Sequence, residues 1–410
     1  MRLILPLFLI VIFNSCKNSS PVKSFSLEAD VAFLASDSLM GRKTGTMGEI
    51  AAAKYIADRF KNIGLKPKGT EGYYQEFSFK PSTNPHEVVQ FVAKGDSVQT
   101  GKNVIGYIDN KALKTIIIGA HYDHLGMGGE GSLYRGDVPD IHNGADDNAS
   151  GVAVMLQLAE RLKKIENPQS NFLFIGFSGE EMGLLGSNYF SKNPTIELQD
   201  VNAMINMDMV GRLNTENTLA VHGVGTSPAF KQLLFANNTQ GFTIAEHESG
   251  IGPSDHTSFY LVDIPVLHFF TGQHEDYHKP SDDYEKVNYE GMQKISDYIF
   301  ALLIDLEDDA KLAFRKTKNE SEDVPAFKVA LGVVPDYLFT GEGMRIDGVS
   351  EDKPAQKAGL QKGDIVKKLG DSTVVDMMSY MRALSSFEIG QKTKVVLDRN
   401  GEKVEVEIEF

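Results

Sequence analysis

Four runs of consecutive apolar residues constrain the fold of this chain more than any other feature. They cover residues 115–120, 172–177, 203–207 and 266–270, and the first reads Thr-Ile-Ile-Ile-Gly-Ala. Continuous apolar runs of this length are typical of strands that are buried on both faces of a sheet. Helical spacing of apolar residues over 45–66, 151–165 and about 289–306 separates or flanks these runs. This order predicts an α/β fold, a three-layer sandwich around a mostly parallel mixed sheet.

The charge of the chain limits the partners that it can bind. Its 410 residues include 41 basic and 56 acidic side chains, which give a net charge of −15. Nucleic-acid binding needs clustered Lys and Arg side chains, so this balance argues against a nucleic-acid partner. The length predicts more than one domain.

The first 24 residues are predicted to be an export segment and a tether. Residues 1–16 have a basic start, an apolar run from Leu3 to Phe13 and then Cys16, the only cysteine of the chain. An apolar run of this length is too short to span a bilayer but suits a signal peptide. Cys16 sits where bacterial lipoproteins are lipidated, and residues 17–24 form a polar tether. The protein is therefore expected to be exported and anchored by lipid to a bacterial cell-envelope membrane; the alternative is a cleaved secretory signal with an incidental cysteine.

Polar side chains come directly after the predicted buried strands, where open α/β sheets carry their sites. Imidazole and carboxylate groups are the ligands that zinc prefers, and a bridged pair of metal ions supplies a nucleophile and a charge sink for amide hydrolysis. The candidate residues are His121, Asp123, Asp146, Glu180, Glu181, Asp208, Tyr277 and His278.

The residues alone leave several roles open. Asp146 is a natural bridging ligand, but an aspartate in such a turn is also a common helix cap. Either Glu180 or Glu181 can bind metal while the other acts as a base. Nine of the ten histidines lie within 121–278, which supports a metal site but does not choose its ligands.

A resemblance to a known family implies which of these residues takes each role. The segments that contain His121-x-Asp123, Gly144-x-Asp146-Asp147, Glu180-Glu181, Asn206-x-Asp208 and Tyr277-His278 resemble the M28 family of zinc aminopeptidases in order and spacing. The resemblance covers most of residues 25–310 and predicts a peptidase domain at 25–306. It implies two zinc ions, one held by His121 and Asp208 and the other by Glu181 and His278, with Asp146 bridging. It also implies that Glu180 is the general base and that Asp123 supports His121, while the Tyr277 hydroxyl is a candidate to stabilise the oxyanion. Residues 39–46 are similar to an N-terminal signature of the family, to which the sequence assigns no function.

A second resemblance covers residues 326–410, which follow a charged linker at 307–325. The segments 330–333, 344–346, 354–360 and 363–366 resemble a PDZ domain of the bacterial protease type. Such domains bind peptide C-termini by strand addition, with backbone N–H groups holding the carboxylate. The resemblance implies that this loop is Ala330, Leu331, Gly332 and Val333 and that Met377, Met378 and Met381 complete the groove. A structural cap without a peptide ligand is the alternative.

The expected function is a di-zinc aminopeptidase that acts on peptides with a free N-terminus. The alternatives are a carboxypeptidase or dipeptidase of the same fold, and a non-catalytic scaffold that presents the PDZ domain. Glutaminyl cyclases are similar in fold, but they rely on active-site tryptophans and this chain has none.

Overall fold

A computed structural model describes residues 26–80, 90–92, 98–129, 131–308, 310–318, 328–350 and 353–410. The predicted signal peptide, the lipidation site at Cys16 and the tether at residues 17–24 lie outside the described residues. No helix within the described ranges is both long and apolar enough to cross a membrane.

The larger of two sheets has ten strands within the described residues, and its centre is parallel. Strand β6 (Ser170–Phe177) pairs with β5 (Lys114–His121), which pairs with β7 (Val201–Met207), which pairs with β10 (Val266–Phe270), all parallel. The four predicted apolar runs are therefore the four central strands. Both flanks contain antiparallel pairs, so the sheet is mixed. The flanking strands are β1 (Lys66–Pro67), β2 (Tyr74–Lys80), β3 (Gln90–Phe91), β4 (Gln99–Ile108), β8 (Thr218–His222) and β9 (Thr243–His247).

Helices cover both faces of this sheet, which confirms the predicted sandwich. Every residue of β6, β7 and β10 is buried, as expected for strands between two helical layers. Helix α2 ends at Ile63 and is capped by Gly64, whose φ of 85° is a left-handed conformation that favours glycine. The helices are α1 (Leu27–Leu34), α2 (Met47–Ile63), α3 (Gly151–Leu162), α4 (Leu185–Lys192), α5 (Phe230–Asn237), α6 (His256–Tyr260) and α7 (Tyr289–Asp308).

The register of the central strands brings their carboxyl ends to one edge. His121 at the end of β5 is paired with Phe177 of β6, and Gly119 is paired with Asn206 of β7. Glu180 and Asp208 follow directly after these strands, so parallel pairing places them beside His121. The edge predicted to carry the site is thus formed by strand register alone.

The smaller sheet belongs to a separate C-terminal unit with its own apolar core. Its strands are antiparallel and run in the order β11-β12-β13-β15-β16, with β14 on β13. The elements are β11 (Val333–Pro335), β12 (Met344–Val349), α8 (Pro354–Lys357), β13 (Ile365–Leu369), β14 (Ser372–Thr373), α9 (Met377–Leu384), β15 (Lys392–Arg399) and β16 (Glu402–Glu409).

The described part of the predicted linker lies against the larger unit. Leu312 donates its N–H to Asn202 at 2.7 Å, Arg315 donates its N–H to Thr226 at 2.8 Å, and Phe314 packs on Tyr260. This segment of the chain is therefore attached to the surface of the first sheet unit.

Candidate metal centre and active site

Asp147 lies at the middle of the polar cluster. Its Oδ1 is 3.3 Å from His121 Nε2, and its Oδ2 is 3.2 Å from His278 Nε2. The carboxylate therefore faces two imidazoles at once, one on each side. This is the arrangement required of a ligand that bridges two metal ions.

Each of the two imidazoles also has a second carboxylate beside it. Asp208 Oδ1 is 3.3 Å from His121 Nε2, and Glu181 Oε2 is 3.3 Å from His278 Nε2. Potential ligand atoms of His121, Asp147 and Asp208 all lie within 4.8 Å of one another, and so do those of His124, Asp147 and Glu181. Asp147 belongs to both groups.

The cluster fits divalent metal ions better than it fits a hydrogen-bond network. His124 Nδ1 is 2.7 Å from Glu181 Oε1, yet neither atom has a hydrogen-bond partner within the described part of the chain. Both atoms are buried, and a buried polar atom without a partner is costly. Imidazole nitrogens and carboxylate oxygens that converge in this way are the donor set of zinc.

Asp146, the predicted bridge, is placed elsewhere. Its Oδ1 accepts the N–H of Gly211 at 2.6 Å, and its Oδ2 is 3.1 Å from His274 Nε2. These contacts turn Asp146 toward Gly211 and His274, so the structure places Asp147, and not Asp146 as expected from the sequence, between His121 and His278. The turn begins at Gly144, where φ is 57° and a Cβ would lie 2.1 Å from Asp147 O. The path of this turn decides which of the two aspartates faces the cluster.

Asp123 connects the two predicted catalytic elements. Its Oδ1 accepts the backbone N–H of Glu180 at 3.1 Å and lies 3.7 Å from His121 Nδ1. The same ring nitrogen is 3.2 Å from the backbone oxygen of Asp123. Asp123 is thus in position to orient His121, as the resemblance implies, and it also holds the start of the turn that carries Glu180.

The two adjacent glutamates have opposite electrostatic environments. Burial raises the pKa of Glu180 well above its usual range, and Asp208 and Glu181 add to this effect while His121 opposes it. Burial and Asp147 also act to raise the pKa of Glu181, but His278 and His124 lower it to about 2. Neighbouring acids whose pKa values are pushed apart are suited to different roles, here a proton acceptor and a permanent anion.

Glu180 stands slightly apart from the ligand contacts. Its Oε2 is 4.0 Å from His121 Nε2, a longer separation than those of Asp147 and Asp208 from the same atom. Its side chain is 11% exposed, whereas that of His121 is 1% exposed. Glu180 is therefore accessible to a water molecule or a substrate at the cluster.

A cavity of about 180 Å³ opens on this cluster. Its polar end is formed by the five carboxylate and imidazole groups of Asp147, Glu180, Glu181, Asp208 and His278. The Tyr277 ring also lines the cavity and stacks on His278 with 3.8 Å between the ring centroids. Tyr277 is thus brought to the site, as predicted, and its contact with His278 also gives it a packing role.

A buried arginine from the N-terminal signature holds the loops of the site. Arg42 has no exposed surface and donates hydrogen bonds to four carbonyl oxygens. One of these is Tyr122 O at 2.8 Å, and others are Asn143 O at 2.6 Å and Gly144 O at 3.0 Å. Arg42 therefore ties the strand end that carries His121 to the turn that carries Asp147. Burial lowers the pKa of Arg42 to about 10, and Asp147 is the largest of the nearby charges that oppose this shift.

Thr44 of this segment and Glu49, in the first turn of α2, contact the same loops. Thr44 donates its hydroxyl to Asp123 Oδ2 at 3.0 Å. The buried carboxylate of Glu49 accepts the hydroxyls of Tyr122 and Ser178, which come directly after β5 and β6. Burial raises the pKa of Glu49 to about 7, and the hydrogen bond from Ser178 opposes that shift. The N-terminal signature, which the sequence left without a function, is a support for the metal-site loops.

We expect Arg42→Met to lower the free energy of unfolding by about 3 kcal/mol or more, because four carbonyls lose a charged donor and the methionine supplies none. Urea unfolding of the variant measures the change. The matched control is Arg135→Met, since Arg135 is exposed and also donates to carbonyls, those of Ser132 and Tyr134. Its effect should stay within about 0.5 kcal/mol. Equal losses in the two variants would contradict the supporting role of Arg42.

Four other histidines form a row outside the cluster. His268, His222 and His247 are in register on three adjacent strands and stack with centroids 5.2 and 4.2 Å apart, and His256 stacks on His268 at 4.6 Å. Burial lowers the pKa of His256 and His268 to about 3, so these rings are neutral. His222 and His268 form part of the cavity wall.

The predicted peptide-binding loop of the C-terminal unit is partly occupied by contacts of its own. The carbonyls of Leu331 and Gly332 accept N–H groups of Ala355 and Ser350, both at 2.9 Å. Gly332 has a φ of 81°, and a Cβ there would lie 2.0 Å from Lys353 Cβ. Val333 packs against the same core as Met377 and Met381 of α9, as the predicted groove requires, while Ala330 is exposed.

The fold is that of the α/β structures to which zinc aminopeptidases belong, and the cluster lies at the carboxyl edge of its central strands. Residues 103–303, just under half of the chain, match the family model of Peptidase family M28. Residues 310–410 match the PDZ domain model, so both resemblances are confirmed.

Similar proteins support the same assignment. Aminopeptidase YwaD of Bacillus subtilis is 29% identical over 242 residues, which are 55% of this chain and 50% of that protein. A zinc aminopeptidase structure from Bacillus subtilis has a TM-score of 0.53 at 18% identity and covers 70% of this chain and 98% of its own. Porphyromonas gingivalis glutaminyl cyclase has a TM-score of 0.54 at 18% identity and covers 68% of this chain and 96% of its own. The fold by itself therefore does not separate these two activities, and the chain spans about half the length of the curated relatives it matches.

Proposed function

We propose that this protein is a zinc-dependent aminopeptidase with two metal ions. The observation that carries the proposal is the position of the Asp147 carboxylate between His121 and His278, with Asp208 on one side and Glu181 on the other. His121, Asp147 and Asp208 would hold one ion, and Asp147, Glu181 and His278 the other. Two ions held there would lower the pKa of a shared water and withdraw charge from the scissile carbonyl.

Glu180 is the group best placed to move the proton. Burial raises the pKa of Glu180 above that of an ordinary carboxylate, which makes this group a stronger base for the proton of a water molecule. Glu180 takes the proton of the attacking water and later delivers it to the departing amine. Asp123 fixes the position of Glu180 through the backbone N–H and so keeps the carboxylate directed at the cavity.

The charges around the cavity favour a free amino terminus. Four carboxylates form its polar end, and none of the described residues that line it is Lys or Arg. A protonated α-amino group is stabilised by such a surface, whereas the α-carboxylate that a carboxypeptidase binds needs a cationic partner. The cavity is too small for more than about one side chain, because pockets for larger ligands usually start near 300 Å³.

Leucine p-nitroanilide with a free amino group is expected to be hydrolysed, and its N-acetylated form is expected to be inert. Treatment with a chelator should abolish the reaction, because the ligand residues then lack the ions that supply the nucleophile, and zinc should restore it. Release of nitroaniline measures both effects. Equal rates on the two substrates would overturn aminopeptidase action, and full activity after chelation would overturn the metal requirement.

The cellular location of the protein and the ligand of its PDZ domain are also proposals. Export and lipidation at Cys16 are supported by the apolar run that precedes this residue, and both stay predictions from the sequence. The contact of Val333 with the core beneath α9 supports capture of a peptide C-terminus between β11 and that helix.

A further inference from the structure

The PDZ domain reaches the wall of the candidate active site. Tyr337, in the loop between β11 and β12, lines the cavity of about 180 Å³ together with Glu180 and Asp208. Its ring meets that of Phe270 at an angle of 68°, with 6.1 Å between the centroids. This geometry is a favourable edge-to-face contact between aromatic rings. A residue of the second domain is thus part of the pocket beside the cluster.

An apolar patch joins the two domains at this point. Leu338 packs so closely on Gly272 that a Cβ at this glycine would lie 2.9 Å from Leu338 Cδ1. The patch combines side chains of the first domain with Tyr337 and Leu338, so that neither domain forms it alone. Its members are Met209, Ala220, Ala245, Phe270, Tyr277, Tyr337 and Leu338.

Tyr337 also lines a second, larger cavity beside the first. A second cavity of about 590 Å³ lies between residues 246–253 of the first domain and residues 336–345 of the PDZ domain. His222, Pro253 and Tyr337 line both cavities. Removing the Tyr337 ring would therefore join the small pocket to the larger space behind it.

The loop that presents Tyr337 is held by its own contacts. Asp336 accepts hydrogen bonds from the Leu338 N–H at 2.9 Å and from Arg345 Nε at 2.6 Å. His247 Nε2 is 3.3 Å from the backbone oxygen of Tyr337, which is a contact across the two domains. A wall that is fixed on both sides can select ligands by size.

We propose that the PDZ domain completes the pocket for the first side chain of the substrate, and that Tyr337 sets the depth of this pocket. The proposal rests on the proposed aminopeptidase function. The amino group lies at the carboxylate end, and the first side chain lies against Met209, Phe270 and Tyr337. The substrate class is a peptide whose first residue is apolar and of the size of leucine. Tyr337 is a specificity-determining residue and takes no part in the proton transfers.

The first test compares p-nitroanilides of alanine, leucine and homophenylalanine. Tyr337→Ala is expected to lower kcat/KM for the leucine substrate relative to the alanine substrate by about 10-fold, because a leucine side chain loses one wall of its pocket. The relative rate on homophenylalanine should rise, since the pocket is then open to the larger cavity. The matched control is Phe339→Ala, two residues further along the same loop, because Phe339 lines the larger cavity and packs on Arg345 but does not line the smaller cavity. Unchanged substrate ratios in Tyr337→Ala, or the same shift in Phe339→Ala, would overturn the proposal.

The second test does not depend on turnover. The chain has no tryptophan, so Tyr337→Trp introduces a single fluorophore at the pocket and Phe339→Trp introduces one outside it. L-leucine, the product of the proposed reaction, should shift the emission of Tyr337→Trp and leave that of Phe339→Trp unchanged. Equal responses, or no response from Tyr337→Trp, would reject the pocket. A response of Tyr337→Trp in a protein that hydrolyses no aminoacyl substrate would reject the aminopeptidase function and retain the pocket.

Discussion

Asp147→Ala is expected to abolish peptidase activity and to reduce the bound zinc below two ions per chain. Among the described residues, Asp147 is the one carboxylate within 4 Å of both His121 and His278, so its removal would take a ligand from both proposed ions. Loss of a shared ligand also leaves the charges of two ions less well compensated in a buried site. Metal analysis of the purified variant, together with kcat/KM on leucine p-nitroanilide, measures the effect.

The neighbouring Asp146→Ala is the matched comparison. Asp146 positions the turn through Gly211 and His274, so its loss should cost about 10- to 100-fold in activity or metal affinity, as is usual for groups that support ligands. The zinc content at saturating metal should stay at two ions per chain. If Asp146→Ala lost the metal and Asp147→Ala kept it, the bridge would belong to Asp146, and the structural assignment would fail.

Glu180→Gln is expected to lower kcat by about 10²- to 10⁴-fold, which is the usual contribution of a general base. The amide has nearly the same size as the carboxylate but cannot accept the proton of the attacking water. Because Glu180 lies 4.0 Å from the nearest imidazole nitrogen and outside the ligand contacts, zinc content should not change. Steady-state kinetics and metal analysis on the same preparation test both parts.

Glu181→Gln distinguishes the two adjacent glutamates. The environment of Glu181 favours its anionic form through His278 and His124, which is the property of a ligand. This variant should bind zinc more weakly, and added zinc should restore part of its activity, whereas no zinc concentration should restore Glu180→Gln. If added zinc restored the activity of Glu180→Gln, Glu180 would be the metal ligand and Glu181 the general base.

Much of the first domain was predictable because strand burial and strand order have simple sequence signals. The apolar runs at 115–120 and 172–177 lie within β5 and β6, and the polar residues after them occupy one edge of the sheet. A parallel sheet brings carboxyl ends together whatever the connecting loops do. The placement of His121, Glu180 and Asp208 therefore followed from the pattern.

The choice between Asp146 and Asp147 did not follow from the pattern. Both are buried acidic residues in the same turn, and their sequence positions differ by one. The directions of the two side chains depend on residues far away in the sequence. Asp282 accepts the backbone N–H groups of both, and Gly211 donates its N–H to the carboxylate of Asp146. The acidic pair itself was the only signal that the sequence offered for Asp147.

The role of the N-terminal signature could not be predicted from the sequence either. Arg42 lies 101 residues before Asn143 in the chain, yet it donates to the carbonyl of this residue. An arginine in a polar segment usually has an exposed side chain, and no local sequence pattern identifies an arginine that is fully buried. His124 is a similar case, because only folding brings it to Glu181.

Residue types and their spacing were enough to predict the class of fold, the edge of the sheet that carries the site and the kinds of side chain available there. These depend on residue type and on spacing within single elements, which are local properties. The folded chain was needed to see that Asp147 faces both sides of the cluster, that Arg42 holds the loops around it and that Tyr337 of the PDZ domain lines the pocket. The physical reason is that each of these depends on contacts between segments far apart in the chain, whose geometry is set by packing.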